Sequence, residues 1–375
     1  MKIGIATFQR TDNYGAVLQA YALQAFLVEQ GHEVEIIDYW PLAPPPFLRR
    51  WLAVDPRNML LKWQARRKER LFARFRAEQL TLSRPARSHP EELHDLRDRY
   101  DMVIAGSDQV WNPTWLEPLA GSDLFYPLAF AGDHTRRIAY AASFGHRSPE
   151  TIPTAWRKIF RERLPAFEAI SVREPSGVGL VHALCGREDA VPVGDPTLLL
   201  SADRYDALAQ PPRAARPFVF VFALHGQEEA AWPSGWARAK ALGLAVHGCR
   251  LHPAQWSPGN LTPSPGQWLG WIRQADLVVT NSFHGIIFCL LFHTPFIALA
   301  VKGEAATMNS RVAELLALVG LSNRFMDEDQ ASSAQPLDSI DWPGVDTALH
   351  GLRAKSQAFL GSINGLLRSS AETIS

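Results

Sequence analysis

Only three cysteines, Cys185, Cys249 and Cys289, are spread through the 375 residues. None sits in a CxxC or CxxH spacing, so neither a disulfide framework nor a zinc site is readable and a reducing compartment is expected. Excess charge is also missing, because Lys+Arg 38 stand against Asp+Glu 38. A nucleic-acid binder needs surplus cations to displace counterions from phosphates, so this balance removes the bulk argument for that class. Long apolar runs are lacking too. The longest, 286–301, is broken by His293, Thr294 and Pro295 and falls short of the ~20 residues of a spanning helix. It reads as a buried helix, a turn and a strand. Met1 is followed at once by a strand-like 2–8, which leaves no room for a charged region, an apolar region and a cleavage site. The expectation is a cytoplasmic protein. No internal repeat of 20–50 residues is visible.

What is present is a chain 47% hydrophobic and 20% charged, long enough for two domains at ~100–200 residues each. Short β-branched runs alternate with helix-length amphipathic segments through both halves, the pattern of parallel sheets crossed over by helices. The fold class is α/β, with two Rossmann-like doubly wound domains facing across a cleft. Strands are expected at 3–8, 34–37, 102–105, 138–143, 169–172 and 191–193. After a polar, three-proline linker at 201–217 they resume at 218–224, 244–248, 277–280 and 295–301. Helices are expected at 14–30, where Val17, Leu18, Tyr21, Ala25 and Phe26 keep one apolar face, and at 236–242, 266–274, 284–292, 308–319 and 345–367. The division is 1–205, an N-terminal domain, then 206–340, a C-terminal domain. A last helix in 341–375 crosses back to the first domain. Ligands belong outside the carboxyl ends of the strands.

A basic helical insertion at 47–99 departs from this pattern. Between 47 and 79, Arg49, Arg50, Arg57, Lys62, Arg66, Arg67, Lys68, Arg70, Arg74 and Arg76 outnumber the acids Asp55, Glu69 and Glu78, with aromatics such as Trp51, Trp63 and Phe72 between them. One reading is a peripheral contact with an anionic membrane face. The other is a solvated helix packed by its apolar side.

Four strand ends carry chemistry. Asp12-Asn13-Tyr14-Gly15 opens the first helix, where unpaired N–H groups suit an anion or a sugar hydroxyl; the alternative is simple capping. Gly106-Ser107-Asp108-Gln109-Val110-Trp111-Asn112 follows the 102–105 strand and supplies donors and acceptors from Ser107, Asp108, Gln109 and Asn112, or else forms a turn buttressed by Trp111. Ser171-Val172-Arg173-Glu174 ends a strand with a guanidinium suited to phosphate or carboxylate, or to a structural pair with Glu174 or Asp195. Thr280-Asn281-Ser282-Phe283-His284-Gly285 places His284 where a helix begins, able to bind phosphate or pass a proton. Lys302 and Arg311 follow and make the second cleft wall basic.

These strings, with Gly194-Asp195-Pro196-Thr197-Leu198-Leu199 and the opening Lys2-Ile3-Gly4-Ile5, stand in one order along the chain. Together they resemble the polysaccharide pyruvyl transferase family. The resemblance implies a two-domain fold like that of GT-B glycosyltransferases and transfer of a pyruvyl unit from phosphoenolpyruvate to a sugar, commonly as a cyclic ketal. It further implies that Arg173, His284 and Lys302 hold phosphoenolpyruvate, and the residue chemistry adds Ser282, Gly285 and Arg311. Ketal formation needs a proton for the enol methylene, a base for the attacking hydroxyl and cations for the departing phosphate; His284, Asp108 and Asp12 are the catalytic candidates. Asn13, Tyr14, Ser107, Gln109, Trp111 and Asn112 are the acceptor candidates. No metal and no cofactor beyond the co-substrate phosphoenolpyruvate is expected. The partner is a saccharide acceptor, lipid-linked if the basic segment docks on a membrane, and no nucleic acid. Two other readings are a glycosyltransferase using a nucleotide sugar and a non-catalytic, anion-binding member of a polysaccharide assembly complex.

Overall fold

Apolar runs buried on both faces set the architecture. The computed structural model describes residues 1–40, 59–119, 121–145, 148–214, 216–224, 228–250, 260–303, 306, 309–363 and 366. Among them β1 (Lys2–Ala6), β2 (Glu33–Ile36), β3 (Met102–Ala105), β4 (Arg136–Ala142), β5 (Ala169–Val172) and β6 (Val191–Pro192) form one parallel sheet in the order β2-β1-β3-β4-β5-β6. A second parallel sheet contains β7 (Phe218–Ala223), β8 (Ala245–Arg250), β9 (Asn260–Leu261), β10 (Leu277–Thr280), β11 (Phe296–Leu299) and β12 (Phe325–Met326), in the order β12-β11-β10-β7-β8-β9. Every residue of β3, β7, β10 and β11 is buried, as strands covered by helices on both faces must be. Counted within its domain, the second order is that of a dinucleotide-binding sheet. The strand order reverses between β1 and β3 in the first sheet and between β7 and β10 in the second, and crevices open at such points.

The longer helices are α1 (Tyr14–Glu29), α2 (Met59–Gln79), α3 (Thr154–Arg163), α4 (Ser176–Cys185), α5 (Glu228–Leu242), α6 (Pro265–Gln274), α7 (Phe283–Leu291), α8 (Asn309–Leu318) and α9 (Trp342–Ser362). Asn13 caps α1 by accepting from the N–H groups of Gly15 and Ala16, and Gly31 at φ 85° turns the chain after it. The sequence gives α1 one apolar face, yet the helix is buried nearly all round because α6 and α7 of the second domain pack on its far side. Its polar Gln24 is accommodated by bonding the backbone: Nε2 donates to the carbonyls of Val34 and Thr81, and Oε1 accepts from Thr81 N–H.

Three other differences from the sequence reading have physical reasons. Residues 201–217 are no loose linker: a short helix, Ala202–Asp206, buries Tyr205, whose hydroxyl donates to the Thr197 carbonyl. A Cβ on Gly270 of α6 would lie 1.9 Å from the Gln210 carbonyl oxygen, so the linker is seated against α6. The helix expected at 236–242 runs from Glu228 through Pro233, and β9 and β12 are two-residue strands too short to show a period. In the basic insertion, residues 47–58 lie outside the described residues. Of the rest, α2 turns Lys68, Phe72, Phe75 and Arg76 inward and presents Trp63, Arg67, Arg70 and Arg74 to water. Among the described residues no helix is long and apolar enough to cross a membrane.

Helix α9 packs on the first domain. Ser356 Oγ accepts from Gly194 N–H at 3.0 Å, while Arg353 donates from Nε to the Leu198 carbonyl at 2.7 Å and from Nη2 to that of Leu200 at 3.0 Å.

Candidate active site

The two switch points face each other across a cavity of about 410 Å³, inside the range of small-molecule pockets. The loop after β1 contributes Gln9, Arg10 and Asn13, and the loop after β3 contributes Asp108 and Gln109. Across the cleft stand Leu224 after β7, Asn281 to His284 after β10, and Arg311 of α8. The polar turn after β3 is held in shape by the end of β4. Ser143 N–H donates to the Asp108 carbonyl at 3.0 Å and Trp111 N–H to that of Ser143 at 3.1 Å, with Asp108 itself at φ 74°.

Behind the cavity, Asp195 joins the domains. It follows β6, is 1% exposed, and accepts at Oδ1 from both the N–H (3.0 Å) and hydroxyl (2.7 Å) of Thr197. At Oδ2 it accepts from Ser107 Oγ at 3.1 Å and Arg173 Nη1 at 3.3 Å, and it meets His284 Nε2 at 3.2 Å. Burial alone would raise its pKa, but His284 and then Arg173 outweigh burial and hold it well below the usual carboxylate range. An ionised carboxylate only accepts, so Nε2 of His284 carries a proton toward Asp195. The other ring nitrogen, Nδ1, lies against the first turn of α1: a Cβ on Gly15 would stand 2.1 Å from it. Ser282 caps α7 by accepting from Gly285 N–H at 3.1 Å. Two helix N-termini therefore begin at the cavity with His284 between them, and their aligned peptide dipoles favour a negative ligand there.

Arg173 at the end of β5 is 6% exposed and bonds Glu174 at 3.0 Å, with Asp108 3.7 Å away. Burial disfavours its charge, but Glu174, Asp108 and Asp195 overcompensate and raise its pKa. Its Nη2 is buried without a hydrogen-bond partner among the described residues. Arg311 has the opposite balance: burial and then the charge of Arg173 push its pKa down to about 10. Arg10, which nothing in the sequence marked, lines the cavity while pairing through both forks with Asp38.

The remaining expected residues divide between cavity and scaffold. Asn13, Asp108, Gln109, Ser282, His284 and Arg311 line the cavity. Ser107 and Arg173 do not line the cavity and lie behind it, each donating to Asp195 Oδ2. Asn112 caps the following turn, accepting from Thr114 N–H at 3.1 Å. Trp111 is fully buried against Phe144, Phe160 and Phe167, so it supports the turn from below. Tyr14 is also buried: its ring stacks on Trp268 and its hydroxyl donates to the Pro263 carbonyl at 3.0 Å. Asp12 faces Arg76 of α2 at 3.5 Å rather than the cavity. Lys302 is an exposed side chain whose Nζ lies 3.4 Å from Glu328. Two tryptophans of the first domain line the cavity instead: Trp115, which is exposed and whose Nε1 donates to Gln109 Oε1 at 3.1 Å, and Trp40, which is half-buried. Among the described residues no group of three or more His, Cys, Asp or Glu is arranged to hold a metal ion.

Two parallel-sheet α/β domains with a polar site at their facing strand ends define the GT-B-like class, which includes glycosyltransferases and sugar-nucleotide epimerases. The UDP-GlcNAc 2-epimerase of Methanocaldococcus jannaschii, solved with UDP-GlcNAc and UDP, superposes over 95% of this chain and 100% of its own at 12% identity with a TM-score of 0.50. A spinosyn rhamnosyltransferase covers 96% of both chains at 14% identity and a TM-score of 0.45. No curated protein matches the chain. The chain belongs to the polysaccharide pyruvyl transferase family, which it matches over residues 13–303.

Proposed function

We propose that the chain transfers the pyruvyl group of phosphoenolpyruvate to a saccharide, forming a pyruvate ketal and releasing phosphate. The observation that carries the reading is the convergence of Arg10, His284 and Arg311 on one interdomain cavity, in a chain of this family. Phosphoenolpyruvate brings a phosphate and a carboxylate, and a site for it must pair both. In the reaction, C3 of the enol gains a proton and one sugar hydroxyl adds to C2. The C2–O bond to phosphate then breaks and a second hydroxyl closes the ketal. Of the two hydroxyl protons, one is balanced by the new methyl group and the other leaves with the phosphate. His284, oriented by Asp195, pairs with the phosphate and protonates it as it departs. In this reading Asp108 takes a hydroxyl proton, and Gln109, Asn13 and Trp115 hold the sugar. A lipid-linked acceptor would bring the outward basic face of α2 to an anionic membrane.

Phosphate release and mass spectrometry of glycans incubated with phosphoenolpyruvate test the reading directly. Arg311→Gln should weaken phosphoenolpyruvate binding by about 1.5–3 kcal/mol without unfolding the protein. Arg173→Ala is a poorer probe, because it strands Glu174, Asp108 and Asp195 and should cost about 3–5 kcal/mol of stability. If a nucleotide sugar, and not phosphoenolpyruvate, raises the melting temperature, the chain is a glycosyltransferase instead.

A further inference from the structure

Phe283 is the first residue of α7, and two guanidinium groups lie over its ring: Cζ of Arg173 at 4.6 Å from the centroid and Cζ of Arg311 at 5.9 Å. A second cleft of about 30 Å³ lies beside the interdomain cavity, and Arg173, Glu174 and Asp195 are among the residues that line this cleft and not the cavity. Phe283 and Arg311 are the two side chains that line both spaces, so they form the wall between them. Arg173, 6% exposed, keeps Nη2 without a partner behind this wall. A buried guanidinium N–H left unpaired is costly unless something other than the protein satisfies it. Like charges on Arg173 and Arg311 also repel, which an anion placed between them would reverse.

We propose that Phe283 is a gate: its ring separates the cavity from Arg173, and an anionic donor gains a clamp of two guanidiniums by displacing that ring. The inference rests on reading the cavity as the donor pocket. The start of α7 is capped by Ser282, so displacing the partly buried Phe283 ring costs its packing against the core but not the helix cap. Cation–π attraction to both arginines holds the ring in place, but a phosphate dianion offers each guanidinium a bidentate partner that a ring face cannot. His284 packs edge-on against the ring with centroids 5.5 Å apart, so the group that displaces Phe283 arrives beside the histidine.

Calorimetry of the full chain with inorganic phosphate and with phosphoenolpyruvate tests the gate. If the open position is populated about a tenth of the time, Phe283→Ala should tighten phosphate binding about tenfold, and Phe283→Trp should weaken it. Adding Arg311→Gln to Phe283→Ala should abolish the gain. Unchanged affinity in both single variants overturns the gate, and phosphoenolpyruvate binding at wild-type strength would then leave the donor reading standing. Tighter phosphate binding with no phosphoenolpyruvate binding in any variant keeps the gate and removes the donor reading. Should Phe283→Ala fail to fold, Phe283→Trp decides: affinity equal to or above wild type overturns the proposal.

Discussion

Asp195 shows how much a single carboxylate does here, with five donors from both domains on its two oxygens. Its pKa is lowered on folding, so its ionised form adds stability that is full above the unfolded value near about 3.9 and is lost as pH falls through the lower folded value. Acid titration of unfolding should therefore show a steeper loss below about pH 4 for wild type than for Asp195→Asn. Parallel curves would place the charge elsewhere. The sequence marked His284, Asp108 and Ser282 because each follows a strand whose end is easy to find. Asp195 follows a two-residue strand and, beyond its place in the Gly194–Leu199 string, read only as a salt-bridge partner for Arg173. Lys302 failed to reach the cavity because β11 stops at Leu299 and the side chain beyond it turns to Glu328. Trp111 and Tyr14 carry polar atoms that backbone carbonyls satisfy in the core, which no local pattern distinguishes from an aromatic at a site.

At the level of elements, the site depends on two helix starts brought together. Gly15 leaves room for His284, and Gly15→Ala would force the imidazole aside. Turnover should fall at least about a hundredfold, the scale of a small misplacement of a reacting group, while far-ultraviolet dichroism stays unchanged. Turnover within a few fold of wild type would show that His284 is not the positioned group. Helix α2 contributes through its buried side. Lys68 lies over the rings of Tyr14 and Phe72, and burial pushes its pKa down to about 8 from an ordinary 10.5, against the pull of Asp12. Between those values the unfolded chain holds a proton that the folded chain lacks, so stability rises with pH across that window. Denaturant titrations at pH 8 and 10 should show this rise in wild type and its loss in Lys68→Met. Equal pH dependence would mean that Lys68 stays charged in the fold. The alternation of charge and aromatics made α2 legible as a helix, but which of its lysines and arginines turn inward depends on Tyr14 and Asp12, more than fifty residues earlier in the chain.

For the whole molecule, the order of apolar runs was enough to give two doubly wound sheets and a cleft, because continuous β-branched strands separated by helices pack in few ways. Harder to read was how tightly the parts interlock: α1 is buried by both domains, and the linker is seated on α6. The return of α9 to Gly194, Leu198 and Leu200 bears on how the protein is made. The partners that bond these backbone groups lie 153 to 162 residues further along the chain. A ribosome adding about 5–20 residues per second takes roughly 8–30 s to supply them. During that interval the first sheet waits with its Asp195 strand end uncovered while the second domain is being synthesised beside it. Ribosome-arrested chains halted at residue 340 should remain sensitive to protease near residues 194–200, and full-length chains arrested behind an added C-terminal linker long enough to bring α9 out of the ribosome should resist. Early resistance would mean that the first domain closes without its last helix.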